Sequence, residues 1–157
     1  MMNRRGDAMA FKIPKPITLE HEELHAKLVR AIREGGKIGY AAQVVAKILH
    51  PHFVKEEEYA LPPLGLLTAL AKGKITKEMC NVLMMTERLK KDLGKMLKEH
   101  KSIVSALKGF IKAAKREKKA EYVHFAQKLI LHARTEEEVL YPTAILIGEY
   151  IKSKSKK

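Results

Sequence analysis

Two stretches of this chain, 80 residues apart, repeat the same residue types in the same order. Residues 52–62 read HFVKEEEYALP and residues 132–142 read HARTEEEVLYP. Each is a histidine, three residues, three glutamates, three residues and a proline. A second pair repeats upstream of each stretch. Glu20-His21, followed by Leu24 and Leu28, matches Glu99-His100, followed by Ile103 and Leu107, at an offset of 79. The intervals agree as well, since His21 precedes His52 by 31 residues and His100 precedes His132 by 32. A repeat of this kind restricts the chain to folds built from two similar halves.

Apolar periodicity makes each half a helical hairpin. Thr18 reads as an N-cap, with Glu20, Glu22 and Glu23 complementing the dipole of a first helix. Leu24, Leu28, Val29 and Ile32 recur there at helical spacing until Gly35-Gly36 stops it. A second helix is predicted from about Gly39 to Leu61, kinked at Pro51 near His50 and ended by Pro62-Pro63. An apolar connection over 64–74 leads to a third, starting near Thr76 and running through Leu89, Met96, Ile103, Leu107 and Ile111. The fourth spans about Ala120 to Ile151, again with a kink at Pro142. No strand-like alternation occurs. The expected fold is all-α, an antiparallel up-down-up-down four-helix bundle over residues 17–151 in which two helical hairpins are related by a pseudo-two-fold axis. Residues 1–16 read as an N-terminal tail and 152–157 as a lysine-rich C-terminal tail.

Residues four apart on a helix share one face. His52 and Glu56 therefore point together, as do His132 and Glu136. Glu57 and Glu137, one position further on, are rotated round the helix. Each histidine continues an apolar stripe: His52 lies in line with Val45 and Leu49, His132 with Leu129 and Val139, and His100 with Met96 and Leu107. His21 is in line with His25 and Leu28. Burying this many imidazoles and carboxylates together is costly unless something pairs them. Two divalent ions would, with Glu56 and Glu136 bridging and His21, His25, His52, His100 and His132 completing the shells. Mixed nitrogen and oxygen donors favour iron or manganese over magnesium or calcium. Other candidates read differently. His50 points away from His52, His124 drifts off the stripe of His132, Met79, Met84, Met85 and Met96 read as core filling, and Cys80 as a buried small hydrophobe.

The pattern carried by His21 or His25, His52, Glu56, His100, His132 and Glu136 resembles the hemerythrin-like proteins with an HHE cation-binding domain, over residues from about 18 to 151. The resemblance implies a four-helix bundle holding a non-haem di-iron centre bridged by two carboxylates and an oxo or hydroxo group. It also implies binding or sensing of O2 or a related small oxidant, with peroxide or NO chemistry and iron sensing as alternatives. The invertebrate oxygen carriers of that family place a histidine pair on the third helix. Here Met96 stands one turn before His100, and the pair, His21 and His25, is on the first. Those carriers also use the carboxylate that maps to Glu137, where the repeat favours Glu136.

Composition narrows the setting. One cysteine excludes a disulfide framework within the chain and points to a reducing, cytoplasmic compartment. No run approaches the ~20 apolar residues of a membrane span, and no signal-peptide pattern is evident. The net charge of +13 is concentrated late, residues 72–157 holding 21 basic and 10 acidic groups. The basic run lacks interleaved aromatics, so it reads as a solvated helix face and not as a nucleic-acid platform. An anionic partner for the lysine-rich third helix belongs to the iron-sensing alternative. Tyr59 and Tyr141 fall within reach of the site by helical spacing, and no general acid or base stands out beyond the ligands.

Overall fold

A computed structural model describes residues 11–155. The expected tails therefore lie partly outside the described residues, in 1–10 and 156–157. Among the described residues there are six α-helices: α1 (Lys15–Glu34), α2 (Gly36–Lys55), α3 (Leu67–Ala71), α4 (Leu83–Arg116), α5 (Ala120–Thr135) and α6 (Tyr141–Ser155). Five-residue π-helical turns over Glu56–Ala60 and Glu136–Leu140 follow α2 and α5, and 3-10 turns cover Pro62–Leu66 and Lys77–Val82. Because one π-turn joins α5 directly to α6, the long elements amount to four rods, as the periodicity predicts. No strand occurs among the described residues. The rods form a helical bundle in which α1 packs on α2, α2 on α4, α4 on α5 and α6, and α5 back on α1. No helix among the described residues is long and apolar enough to cross a membrane.

Helix starts depart from expectation for local reasons. Pro14 stands at the N-cap of α1, and Thr18 lies inside the helix, its N–H donating to the Pro14 carbonyl. Pro16 explains this, since a fixed φ near −65° is pre-organised for a first turn and its missing N–H is no loss there. The boundary between α1 and α2 is Gly35, at φ 73°, a left-handed conformation that a side chain disfavours. The third rod starts later than Thr76 suggests. A 3-10 turn occupies Lys77–Val82, and α4 begins at Leu83. The connection before it is well packed: Pro62, Pro63, Leu64, Leu66, Met79 and Val82 are all buried, and Phe11 and Ile13 pack against the same cluster.

The two prolines after the glutamate triplets act through the π-turns. Proline has no N–H, and its ring crowds the carbonyl four residues back. α2 passes through Pro51 without ending. Ahead of Pro62 and Pro142, by contrast, the helix widens: the N–H groups of Leu61 and Tyr141 reach back five residues, to the carbonyls of Glu56 and Glu136. Each π-turn inserts one residue into the stripe. Val139, which a regular α-helix would bury beneath His132, is consequently 53% exposed, and Tyr141 is fully buried in its place.

Two apolar clusters fill the bundle. One contains Leu24, Leu28, Ile38, Val45, Phe53, Leu107, Phe110 and Phe125. The other contains Tyr59, Leu61, Leu64, Leu89, Met96, Tyr141 and Ile147. Met79 and Met96 fill core as expected, but Met84 is 83% exposed on the first turn of α4, and Cys80 is only half-buried. Close approach of α6 to α4 depends on Gly148, where a Cβ would run into the buried Thr86 side chain. Gly148→Ala should cost about 1–3 kcal/mol by overpacking. Gly94→Ala, at an exposed position of α4 with open space around it, should stabilise by roughly 0.5–1 kcal/mol. Chemical denaturation of both variants checks the pair.

Candidate metal centre

Where the apolar clusters meet lies a buried polar group. Glu56 and Glu136 are 0% and 1% exposed, and His21, His52, His100 and His132 are 5% exposed or less. Two donor constellations arise, each with its ligand atoms within 4.8 Å of one another: His52, Glu56, His100 and Glu136 at one end, and His21, His132 and Glu136 at the other. Glu136 belongs to both. Glu56 is also central, its Oε1 lying 3.7 Å from Nε2 of His52 and 3.9 Å from Nε2 of His21. Glu136 Oε1 is 3.3 Å from Nε2 of His100, and its Oε2 is 3.2 Å from Nε2 of His132 and 3.6 Å from Nε2 of His21. Every inward-facing histidine atom is Nε2, and the Nε2 atoms of His21 and His132 are 3.1 Å apart.

Each imidazole has a carboxylate behind it. Nδ1–H of His52 donates to Glu99 at 2.9 Å, Nδ1–H of His100 donates to Glu137 at 3.0 Å, and that of His132 donates to Glu20. Glu57 stands 3.7 Å from Nδ1 of His21. The four pairings obey the repeat. His52–Glu99 joins the second rod to the third as His132–Glu20 joins the fourth to the first, and His100–Glu137 has its counterpart in His21–Glu57. An Nδ1–H held by a carboxylate fixes the tautomer, so the Nε2 lone pair faces the centre and becomes more basic.

Sequence reasoning missed this outer ring, although its signal was present. The glutamate before each of His21 and His100 is part of the repeat, and Glu57 and Glu137 are the triplet members rotated away from the centre. Rotation turns them to back a neighbouring histidine. His25 is not brought into the centre. It is exposed on α1 and its ring faces His50, centroids 5.3 Å apart. The place one turn from His21 that the sequence offers to His25 is therefore solvent-facing. His124 is exposed too. Tyr141 is brought in more deeply than expected: its hydroxyl donates to Glu56 Oε2 at 2.6 Å, and its oxygen is 3.2 Å from Nε2 of both His52 and His100.

Electrostatics shows what this group lacks. Burial, reinforced by the Glu136 charge, pushes Glu56 well above the carboxylate range. Burial acts on Glu136 in the same sense, but the facing Glu56, His100, His132 and His21 side chains outweigh it and hold that carboxyl well below its usual range. His52 is depressed by burial. For His100 and His132 burial is outweighed by Glu136 and by Glu137 or Glu20, and both are raised. Two buried oxygens, Glu56 Oε1 and Glu136 Oε2, have no hydrogen-bond partner. Unsatisfied carboxylate oxygens facing converging Nε2 atoms are what a pair of cations would satisfy. The donor set fits a bound metal ion, with Glu136 common to both constellations.

Compared with family models, curated proteins and solved structures, the chain matches none. The centre therefore rests on its own geometry.

Removing a backing carboxylate should loosen the centre while sparing the fold. Glu99→Ala should weaken metal binding 10- to 100-fold, and Glu78→Ala, at an exposed site, should leave it unchanged. Titration against a competing chelator measures both.

Proposed function

We propose that this centre holds two iron ions and that the protein binds or senses O2, or a related small oxidant, there. The observation that carries the reading is the set of four buried histidines, all presenting Nε2 to two buried carboxylates with unpartnered oxygens. His52 and His100 would hold one ion, His21 and His132 the other, and Glu56 and Glu136 would bridge. Manganese suits the same donors. A reduced iron pair, when bound, supplies the electrons and the coordination position that O2 requires.

The chain's own residues do the rest. Glu20, Glu57, Glu99 and Glu137 keep the imidazoles aimed and basic. Phe53 stacks on His21 at 4.2 Å between ring centroids and holds that ring in place. The neighbours α1–α2, α2–α4, α4–α5 and α5–α1 are those of an up-down-up-down path, and we take the bundle to be hemerythrin-like in that sense. With one half-buried cysteine, a cytoplasmic setting fits. The hydroxyl of Tyr141 among the donors favours a second reading, turnover of peroxide or NO, in which a phenol at the centre serves as a proton or electron source.

Protein purified without added metal should carry close to two equivalents of iron per chain, with a visible absorption that responds to anaerobic reduction and to O2. Return of the reduced spectrum on deoxygenation supports carriage or sensing, and peroxide turnover lost in His132→Ala supports the enzyme. Zinc, a single ion, or a folded protein with no affinity for iron would overturn the reading. Binding should also stabilise the fold, by about 2.7 kcal/mol when free ferrous iron is 100 times its Kd. For a domain of this size that is a rise in Tm of roughly 5–11 °C, measured anaerobically with and without the ion.

A further inference from the structure

The repeat makes the two ends of the centre equivalent in histidines and carboxylates, but one residue breaks the equivalence. Tyr141 closes the second π-turn, where the first has Leu61. Both are fully buried, yet only one carries a donor atom. The Tyr141 oxygen lies 2.6 Å from Glu56 Oε2 and 3.2 Å from Nε2 of both His52 and His100. It is in the midst of three candidate ligand atoms of one end, with nothing comparable from Leu61 at the other. The surroundings are unequal in the same direction. A pocket of about 450 Å³ reaches His21, and another of about 360 Å³ reaches His132. Neither is lined by His52, His100 or Tyr141.

We propose that the Tyr141 oxygen is a fifth protein donor to the ion at the His52–His100 end, beside His52, His100, Glu56 and Glu136. This rests on the reading of the cluster as an iron centre. On binding, the oxygen–proton bond breaks, the oxygen's electron pair goes to the ion, and the proton leaves to solvent, as protons do when a metal takes an acidic ligand. That end is then closed by the chain itself. The His21–His132 end, beside the two pockets, is the one left to accept a small external molecule.

The π-turn explains why residue 141 can do this. In an unbroken α-helix the residue one turn beyond Glu136 would be Leu140. With the Tyr141 N–H bonded five residues back to the Glu136 carbonyl, position 141 moves onto the face of Glu136, and Leu140 is only half-buried. The other buried phenols are engaged elsewhere, Tyr59 donating to Asp92 at 3.0 Å and Tyr122 to Glu34 at 2.8 Å.

The test is resonance Raman and visible spectroscopy of the full-length protein loaded with ferrous iron and then oxidised, with iron per chain measured on the same samples. The expected result is a tyrosinate-to-ferric charge-transfer band whose Raman-enhanced ring modes shift when ring-deuterated tyrosine is incorporated. Tyr141→Phe should abolish the band and retain at least half the iron, whereas Tyr59→Phe should keep the band. The labelled wild-type protein gives its answer even where Tyr141→Phe fails to fold. Iron bound with no tyrosinate modes, or a band surviving Tyr141→Phe, overturns the proposal and leaves the two-iron reading standing. Failure of the wild-type protein to bind iron overturns both.

Discussion

Two carboxylates and four imidazoles share the dry centre of a helical bundle, and the placement of most other residues follows from accommodating them. Taking an ionised carboxylate out of water costs several kcal/mol even after relaxation. Here the polar groups divide the problem among themselves: burial and the Glu136 charge push Glu56 up, the facing Glu56 and histidines hold Glu136 down, and carboxylate neighbours raise His100 and His132. This internal compromise still leaves two oxygens without partners. Buried polar groups in folded proteins are nearly always satisfied, so the orphan atoms set the centre apart from an ordinary core network.

Four glutamates outside the centre complete the arrangement at little cost. Glu20 and Glu57 are more than half exposed, Glu137 about one-third, and Glu99 about one-fifth. They keep contact with water while one oxygen engages an imidazole. Lys55 pairs with Glu99 and anchors the partner of His52. The surface ion pairs of the bundle, such as Glu23 with Lys27, contribute little by comparison. The charge that matters is arranged in two concentric layers, the inner one dry and the outer one wetted.

Much of this was legible in the sequence, because the residues concerned obey a period. His52 with Glu56 and His132 with Glu136 follow from four-residue spacing, and His21 with His100 from the repeat. Legibility failed where local geometry departs from a regular α-helix or where a face borders solvent. His25 obeys the spacing from His21 but falls on the wet side of α1. Val139 obeys the spacing from His132 but lies beyond the shift that the π-turn introduces. Thr18 has the chemistry of an N-cap, yet Pro16 starts the helix earlier. The backing roles of Glu57 and Glu137 depend on which neighbouring rod lies beside them, and periodicity within one helix carries no information about that.

Each end of the centre draws one histidine from each half of the chain: His52 with His100, and His21 with His132. A single hairpin thus holds half a set of donors for both ends and a full set for neither. Two unlinked copies of one hairpin, brought together about a true dyad, would rebuild the same histidines and carboxylates. They would also be bound to strict symmetry, with two tyrosines or two leucines at the position after the π-turn. Joining the halves through residues 62–82 releases that restriction. A fused chain is free to mutate one copy and keep the other, and the difference between Leu61 and Tyr141 is a kind of divergence that a symmetric dimer could never acquire.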